Sequence, residues 1–281
     1  MKTSSKVILK KVLNDKFYNL LKFYNDFEFE EIRLRLFCPL TIVKGNKNLI
    51  LNKEVICTDS DIKEIVINCC DNSFRTYESY VKQGYIPISG GRVGVAGIFN
   101  NGDVFNGITS LNIRIAKDIH NIAKPIINYI GNAPANILIC GPPASGKTSY
   151  LRDITREFSN MQYRVSVADE KGEITGADLS ATFDLGINCD YIVGIEKSVA
   201  INRLLRMMNP QIIVFDEIGS VKEAEAIYES LNSGIKIVTS IHSENINQLT
   251  KKVNLYFKRE NPFEFYVILN NKFEISEIVK L

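Results

Sequence analysis

Tryptophan is absent from this 281-residue chain, histidine occurs only twice, and the charges nearly cancel at a net +2. Each shortage narrows the field. The near-balance of charge excludes the strong basic excess of a dedicated DNA-binding domain, although local patches stay open. No uninterrupted apolar stretch reaches the ~18–20 residues that a membrane-crossing helix needs. Lys2, Lys6, Lys10, Lys11 and Lys16 crowd the N-terminal segment, but no apolar core with a small-residue cleavage site follows them, so no secretory leader is expected. The six cysteines (Cys38, Cys57, Cys69, Cys70, Cys140 and Cys189) form no C-x-x-C pair. Most lie in apolar runs such as NILICG, the pattern of buried free thiols rather than of a zinc or disulfide framework. A soluble cytoplasmic protein is the expectation.

What is present is an ordinary globular composition, 45% hydrophobic and 23% charged. The length exceeds one average domain, and the pattern along the chain changes once. In the first part Leu9, Leu13, Phe17, Leu20, Leu21 and Tyr24 recur at helical spacing. IRLRL at 32–36, LTIV and LIL then read as strands, the last two joined by a turn at Gly45–Asn48. Asp61, three residues before Glu64, is expected to open a helix containing Ile65 and Val66. A glycine-rich stretch from Gly84 to Gly107 carries short β-branched pieces, with a hairpin signal at Asn101-Gly102. It reads either as twisted hairpins or as a loop that meets a ligand; its spacing is not the dinucleotide fingerprint. LNIRIA from 111 leads into a helix expected over 117–130, ending at Gly131.

Beyond that point apolar strands alternate with amphipathic helices, the mark of a parallel α/β sheet. The strands are NILIC (136–140), YRVSVA (163–168), YIVG (191–194), QIIVF (211–215) and KIVTSI (236–241), and a hairpin around Asn270-Asn271 closes the sheet edge. The expectation is an α/β protein: a smaller α+β N-terminal domain over 1–117 and a RecA-like parallel-sheet P-loop core over 118–281.

The strongest chemical signal is Gly141-Pro142-Pro143-Ala144-Ser145-Gly146-Lys147-Thr148, a full match to G-x-x-x-x-G-K-[ST]. Chance would produce it in roughly one chain of this length in a hundred, and here an apolar strand precedes it and a helix beginning at Ser149 follows. Glycines let the backbone wrap phosphates with its N–H groups, and the helix N-terminus adds positive potential. Lys147 would reach the β- and γ-phosphates of ATP and Thr148 would ligate Mg²⁺. A second element, Ile212-Ile-Val-Phe215-Asp216-Glu217, is a buried strand ending in two carboxylates. Asp216 is placed as a Mg²⁺ ligand through water and Glu217 as the group that polarises the attacking water. A third, Asp169-Glu170-Lys171-Gly172-Glu173, follows a strand whose end faces the ligand crevice; its carboxylates would share metal–water contacts or position the nucleophile, with a solvated acidic turn as the plain alternative. In a fourth, Thr239-Ser240-Ile241-His242, Thr239 or Ser240 would sense the γ-phosphate and His242 would contact it as donor or cation. His120 reads as structural. An arginine supplied from a neighbour could also act, with Arg33, Arg35, Arg92, Arg114, Arg203 and Arg206 as candidates.

GPPASGKTSYLRDITREFS, VSVADEKGEITG, LLRMMNPQIIVFDEIGSVKEAEAI and TSIHSEN, together with EIRLRLFCPL, YIPISGGRVGVAGIF and SLNIRIAKDI, resemble the stage III sporulation protein AA family. That family is similar to the secretion-superfamily ATPases of type II and type IV systems. The resemblance implies an ATPase in the mother cell of an endospore-forming bacterium, forming a homo-oligomeric, hexameric ring that energises the channel to the forespore. It would reach the membrane only through its channel partners. It also implies nucleotide binding by Gly146, Lys147 and Thr148, a Walker B pair in Asp216 and Glu217, an acidic box holding Glu170 and Glu173, and a histidine segment holding His242. Lys171 stands where the family tends to have arginine and cannot pair bidentately; Asn209 replaces a usual serine. The rival reading is a P-loop ATPase that binds single-stranded nucleic acid, which should interleave basic and stacking aromatic residues. Here Arg33 and Arg35 alternate with leucines and tryptophan is missing, so nucleic acid is not the expected partner.

Overall fold

A computed structural model describes residues 5–22, 29–44, 47–99, 107–115, 118–176, 183–244, 246–258 and 260–281. Gly45 and Asn46 of the turn expected at Gly45–Asn48, the turn at Asn101-Gly102, and Tyr24 lie outside these; Lys47 and Asn48 already belong to a strand, paired with Lys44 and Val43. The chain divides into two compact units, Met1–Lys117 with Gly176–Thr182, and Asp118–Thr175 with Phe183–Leu281.

The first unit contains α1 (Ser5–Val12), α2 (Asp15–Leu21), β1 (Glu31–Arg35), β2 (Thr41–Lys44), β3 (Lys47–Ile50), α3 (Asp59–Cys69), α4 (Phe74–Lys82), β4 (Tyr85–Ile88), β5 (Gly91–Gly97) and β6 (Ile108–Ile115). Its strands form one antiparallel sheet in the order β3-β2-β1-β6-β5-β4. Alternation sorts β1: Ile32 and Leu34 are buried while Glu31, Arg33 and Arg35 lie on the other face. The apolar side joins Leu9, Phe17, Leu21, Ile62 and Ile65 of the helices in one core. Within its described residues the glycine-rich stretch forms twisted antiparallel hairpins. A Cβ on Gly97 would collide with the Gly107 carbonyl, so the glycines admit close backbone approach. The helix expected to open at Asp61 starts earlier. Thr58 is its N-cap, and Asp61 is the third helical residue of a capping box. Asp61 also accepts from Asn14 Nδ2 at 2.8 Å and Lys16 Nζ at 2.6 Å, tying the start of α2 to that of α3.

The second unit contains α5 (Lys124–Tyr129), β7 (Ile137–Gly141), α6 (Lys147–Asn160), β8 (Val165–Asp169), β9 (Cys189–Val193), α7 (Lys197–Met208), β10 (Ile212–Glu217), α8 (Val221–Asn232), β11 (Lys236–His242), α9 (Ile246–Tyr256), β12 (Phe265–Leu269) and β13 (Ile275–Lys280). They build a sheet ordered β13-β12-β7-β11-β10-β8-β9, parallel throughout except for β13, which pairs antiparallel to β12. Every residue of β7 and β8 is buried, as strands covered on both faces must be. Ile137 and Ile139 face a core with Leu151, Ile154 and Phe158 of α6; Leu138 and Cys140 face another with Ala200, Leu204, Ile227 and Leu249. The helix expected over 117–130 is only α5, because Pro125 sits in its first turn and the preceding backbone is used otherwise: Asn121 and Ala123 donate their N–H groups to the Asp153 carboxylate. Cys57, Cys69, Cys70 and Cys140 are buried thiols, whereas Cys38 is exposed.

Candidate functional site

Because β7 lies inside the sheet, its carboxyl end opens where strand connections diverge to either side, the place where such sheets receive ligands. The turn Gly141–Gly146 leaves β7 there and enters α6. Ala144 and Gly146 have φ of 58° and 88°. Gly146 is the N-cap of α6 and offers no side-chain cap, so the first-turn N–H groups of the helix point out of the turn without a side-chain acceptor there. Ser145 Oγ is buried and has no hydrogen-bond partner among the described residues.

Lys147 is 7% exposed. Its ammonium donates to the carbonyls of Gly141 (3.0 Å) and Pro142 (2.8 Å) and lies 2.8 Å from His242 Nδ1. An ammonium carries only donors, so His242 Nδ1 is the acceptor and the ring proton sits on Nε2. Nε2 in turn is 3.1 Å from Glu217 Oε2. A continuous chain therefore runs from Lys147 through His242 to Glu217. Burial lowers the pKa of Lys147, while the charges of Glu217 and Asp216 oppose that shift. The backbone carbonyl of His242 accepts from Lys252 Nζ of α9 at 2.6 Å, which fixes the end of β11.

The two carboxylates of β10 are aimed by a break in register with β11, where the pairing slips between Val214 and Glu217. Burial and then the nearby Glu173 push the Asp216 carboxyl up to about 6; Lys197 pulls the other way, and Asp169 and Glu217 add to the rise. Lys197, in the first turn of α7, donates to the Glu217 carbonyl and lies 3.3 Å from Glu223 Oε1. Glu223 also accepts from the backbone of Gly219 and Ser220, closing the start of α8.

The acidic loop divides into distinct tasks. Asp169 is 1% exposed, and both its oxygens are taken up by Glu173 N (2.9 Å), Ile174 N (2.9 Å), Thr175 N (2.8 Å) and Thr175 Oγ1 (2.8 Å). It shapes the loop and has little left to offer a metal. Arg152 of α6, 1% exposed, holds the same segment from the other side through the carbonyls of Ile174 (2.9 Å) and Glu173 (2.7 Å) and lies 3.6 Å from the Phe183 ring centre. The loop so pinned sets Glu173 near enough for its charge to raise the Asp216 carboxyl, whereas Glu170 stands exposed. Thr239 is fully buried and donates to the Asp216 carbonyl at 2.7 Å, a backbone brace rather than a phosphate sensor; Ser240 Oγ is buried and unpartnered among the described residues.

Lys197, Arg152 and the bracing role of Asp169 were not anticipated. Lys197 did leave a sequence signal: a cation in the first turn of a helix opposes the helix dipole, so it needs another reason to be there. Asp169 and Arg152 left none beyond their types.

The uncapped turn, the unpartnered Ser145 hydroxyl and the Lys147 ammonium suit an anionic phosphate ligand. The negative field of Glu173, Asp169 and Glu217 at Asp216 favours a nearby positive charge, although the described residues hold no cluster of three or more His, Cys, Asp or Glu side chains placed to hold a metal by themselves. Thr148, half-buried, follows Lys147 in the first turn of α6.

These features sit on a RecA-like parallel-sheet α/β core, and that core defines the fold class. The structure superposes on the ADP-bound pilus retraction motor PilT with a TM-score of 0.62 at 12% identity, covering 89% of this chain and 76% of that one. It superposes on the ATPase DotB of Legionella pneumophila with a TM-score of 0.59 at 12% identity, covering 90% and 75%. Within that class the chain belongs to the family described as sporulation stage III, protein AA, whose model matches residues 4–280. It is 33% identical over 258 residues to stage III sporulation protein AA of Bacillus subtilis (strain 168), covering 86% of this chain and 83% of that protein. It is 30% identical over 161 residues to the uncharacterized protein ycf45 of Cyanidium caldarium, covering 54% and 46%. Among the described residues no helix is long and apolar enough to cross a membrane.

Proposed function

We propose that this protein hydrolyses MgATP and works as one subunit of a hexameric ring motor that energises the secretion-like channel between mother cell and forespore. It would sit on the mother-cell side and meet the membrane through channel proteins. The observation that carries the enzymatic part is the chain Lys147–His242–Glu217, which joins the phosphate-binding turn to the carboxylate placed to activate water. Family membership carries the sporulation part, and the likeness to motor ATPases supports the ring.

In this reading the backbone of residues 141–149 cradles the triphosphate, with Gly146, Lys147 and Thr148 at its centre and Ser149 continuing the helix N-terminus. Mg²⁺, held from Thr148 and through water by Asp216, would neutralise charge on the phosphate oxygens. Lys147 exchanges the carbonyls of Gly141 and Pro142 for phosphate oxygens. That frees His242 Nδ1, so the His242–Glu217 pair can turn from the lysine to the ligand. Glu217 then accepts a hydrogen bond from the attacking water, and its proton, as the water oxygen bonds to the γ-phosphorus and the bond from that phosphorus to the bridging oxygen breaks, releasing ADP and phosphate. Glu173, whose charge reaches Asp216, adds to the polar lining, and Glu170, exposed on the same loop, is open to metal-bound water or to the nucleophile.

Purified protein with the Lys147→Ala or Glu217→Gln substitution tests this. Phosphate release should fall by at least about a hundredfold in either, with ATP binding lost in the first and kept in the second. Undiminished release in either variant overturns the scheme. Solution mass with and without ATP tests the ring, and a monomer under both conditions would remove it.

A further inference from the structure

The phosphate-binding turn and the carboxylates of β10 account for one end of a nucleotide; nothing described so far touches a base. The strand order says where the other end must go. β11 and β10 flank β7 on one side and bring His242, Asp216 and Glu217, the reacting end, to that side. β12 flanks β7 on the other, so its hairpin with β13, residues 270–274, stands beside the turn opposite the carboxylates. A ligand with its terminal phosphate at Glu217 directs its remaining length toward α6 and this hairpin.

Phe273 occupies that hairpin in an unusual way. Its φ is 64°, a left-handed conformation that is rare and strained for a bulky side chain. The conformation is held from several directions. Asn270 Oδ1 accepts from Lys272 N at 2.7 Å and Glu274 N at 3.1 Å, Asn270 N donates to Glu274 O at 3.0 Å, and the Tyr150 hydroxyl of α6 donates to the Phe273 carbonyl at 3.2 Å. The ring touches the turn itself: a Cβ built on Gly146 would lie 2.9 Å from Phe273 Cδ1. Yet the residue remains 53% exposed. A strained, braced, half-exposed aromatic ring against the phosphate-binding glycine is poorly explained by core packing, and well explained by a flat partner.

The geometry points to Phe273 as the platform on which the base of the bound nucleotide stacks, making this a site for nucleoside triphosphates, purines above pyrimidines, rather than for inorganic polyphosphate. The inference rests on the nucleotide reading above and deepens it. The base supplies a π-face whatever its edges, so the platform selects for ring size more than for hydrogen-bonding pattern.

Titration calorimetry with ATP and, separately, with inorganic tripolyphosphate separates the possibilities, each with Mg²⁺ present. Full-length wild type, Phe273→Tyr, Phe273→Leu, Phe273→Ala and Lys147→Ala are compared after melting curves confirm folding. Wild type should bind ATP more tightly than tripolyphosphate. Phe273→Leu and Phe273→Ala should lose about tenfold or more in ATP affinity, in line with aromatic–base stacking, at unchanged tripolyphosphate affinity. Phe273→Tyr should bind ATP as wild type does, and Lys147→Ala should lose both ligands. Full ATP affinity in Phe273→Leu overturns the platform. So does a parallel loss of ATP and tripolyphosphate in the Leu and Ala variants, which would make the ring a wedge that shapes the turn. A wild type that binds neither ligand refutes the nucleotide reading itself, and the platform with it.

Discussion

Replacing Asp169 by alanine isolates the brace beneath the acidic loop. Four donors lose their acceptor: the N–H groups of Glu173, Ile174 and Thr175 and the Thr175 hydroxyl. Hydrogen bonds to a charged group are worth about 1.5–3 kcal/mol each, so an additive sum would reach roughly 6–12 kcal/mol. That sum is too large, because the loop can open and let water satisfy the orphaned donors, and the cost of opening sets the ceiling. An orphaned buried donor costs about 1–3 kcal/mol, so with some of the four rescued by water a net loss of about 3–5 kcal/mol is expected. For a unit of this size each kcal/mol shifts the melting temperature by about 2–4 °C, so a fall of about 10 °C is expected. Two assays read it: thermal melting followed by circular dichroism, and tryptic cleavage after Lys171, which should accelerate as the loop opens. Asp169→Asn, which keeps the shape and some accepting capacity, should fall between. If the alanine variant melts within about 2 °C of wild type and resists trypsin equally, Asp169 is not the brace described here.

Three further outcomes are expected. Gly146→Ala forces a left-handed residue at φ 88° and sets a Cβ 2.9 Å from Phe273, so it should cost about 1–2 kcal/mol in a melting experiment and abolish nucleotide binding. Lys197→Met removes the ammonium from the Glu217 carbonyl; phosphate release should slow about tenfold with ATP affinity nearly unchanged, and a selective loss of affinity instead would refute a role in placing Glu217. Asp61 is held down to about 2: burial works to raise it, but the bonds from Lys16, Thr58 and Asn14 outweigh burial. Its stabilisation is therefore complete above the ordinary carboxylate range near pH 4 and fades as pH falls toward 2, a loss of about 1–2 kcal/mol after allowance for the solvent-exposed Lys16. Asp61→Asn should flatten that acid limb of the melting profile.

The parallel core was legible because each strand is a short apolar run that must be buried on both faces, and each interruption carries turn chemistry. The phosphate-binding turn was legible for a stricter reason, since its glycines, lysine and hydroxyl each answer to one requirement of a phosphate ligand. Helix limits were less so. The segment before Lys124 has helical spacing, yet Asp153, distant along the chain, claims its N–H groups, and no local pattern announces that. The same holds for Thr239, whose hydroxyl looked free to sense a ligand until β10 supplied a carbonyl within reach. Asp169 shows the limit most clearly. It sits in a row of carboxylates that look alike in sequence, and only the folding of residues 173–175 back onto it separates the structural member from Glu173. Phe273 carried no signal at all: an aromatic after an Asn-Asn-Lys turn is unremarkable until its backbone angle and its neighbour are known.

The tie between Lys147 and the carbonyls of its own turn has a consequence for how binding will be measured. An incoming anion meets a lysine already engaged, so some of its interaction energy goes into separating that cation from Gly141, Pro142 and His242. The apparent dissociation constant then exceeds the intrinsic one by the inverse of the fraction of molecules whose lysine is disengaged. A mutation that merely loosened those internal bonds would look, in a titration, like an improved binder, without adding a single new contact to the ligand.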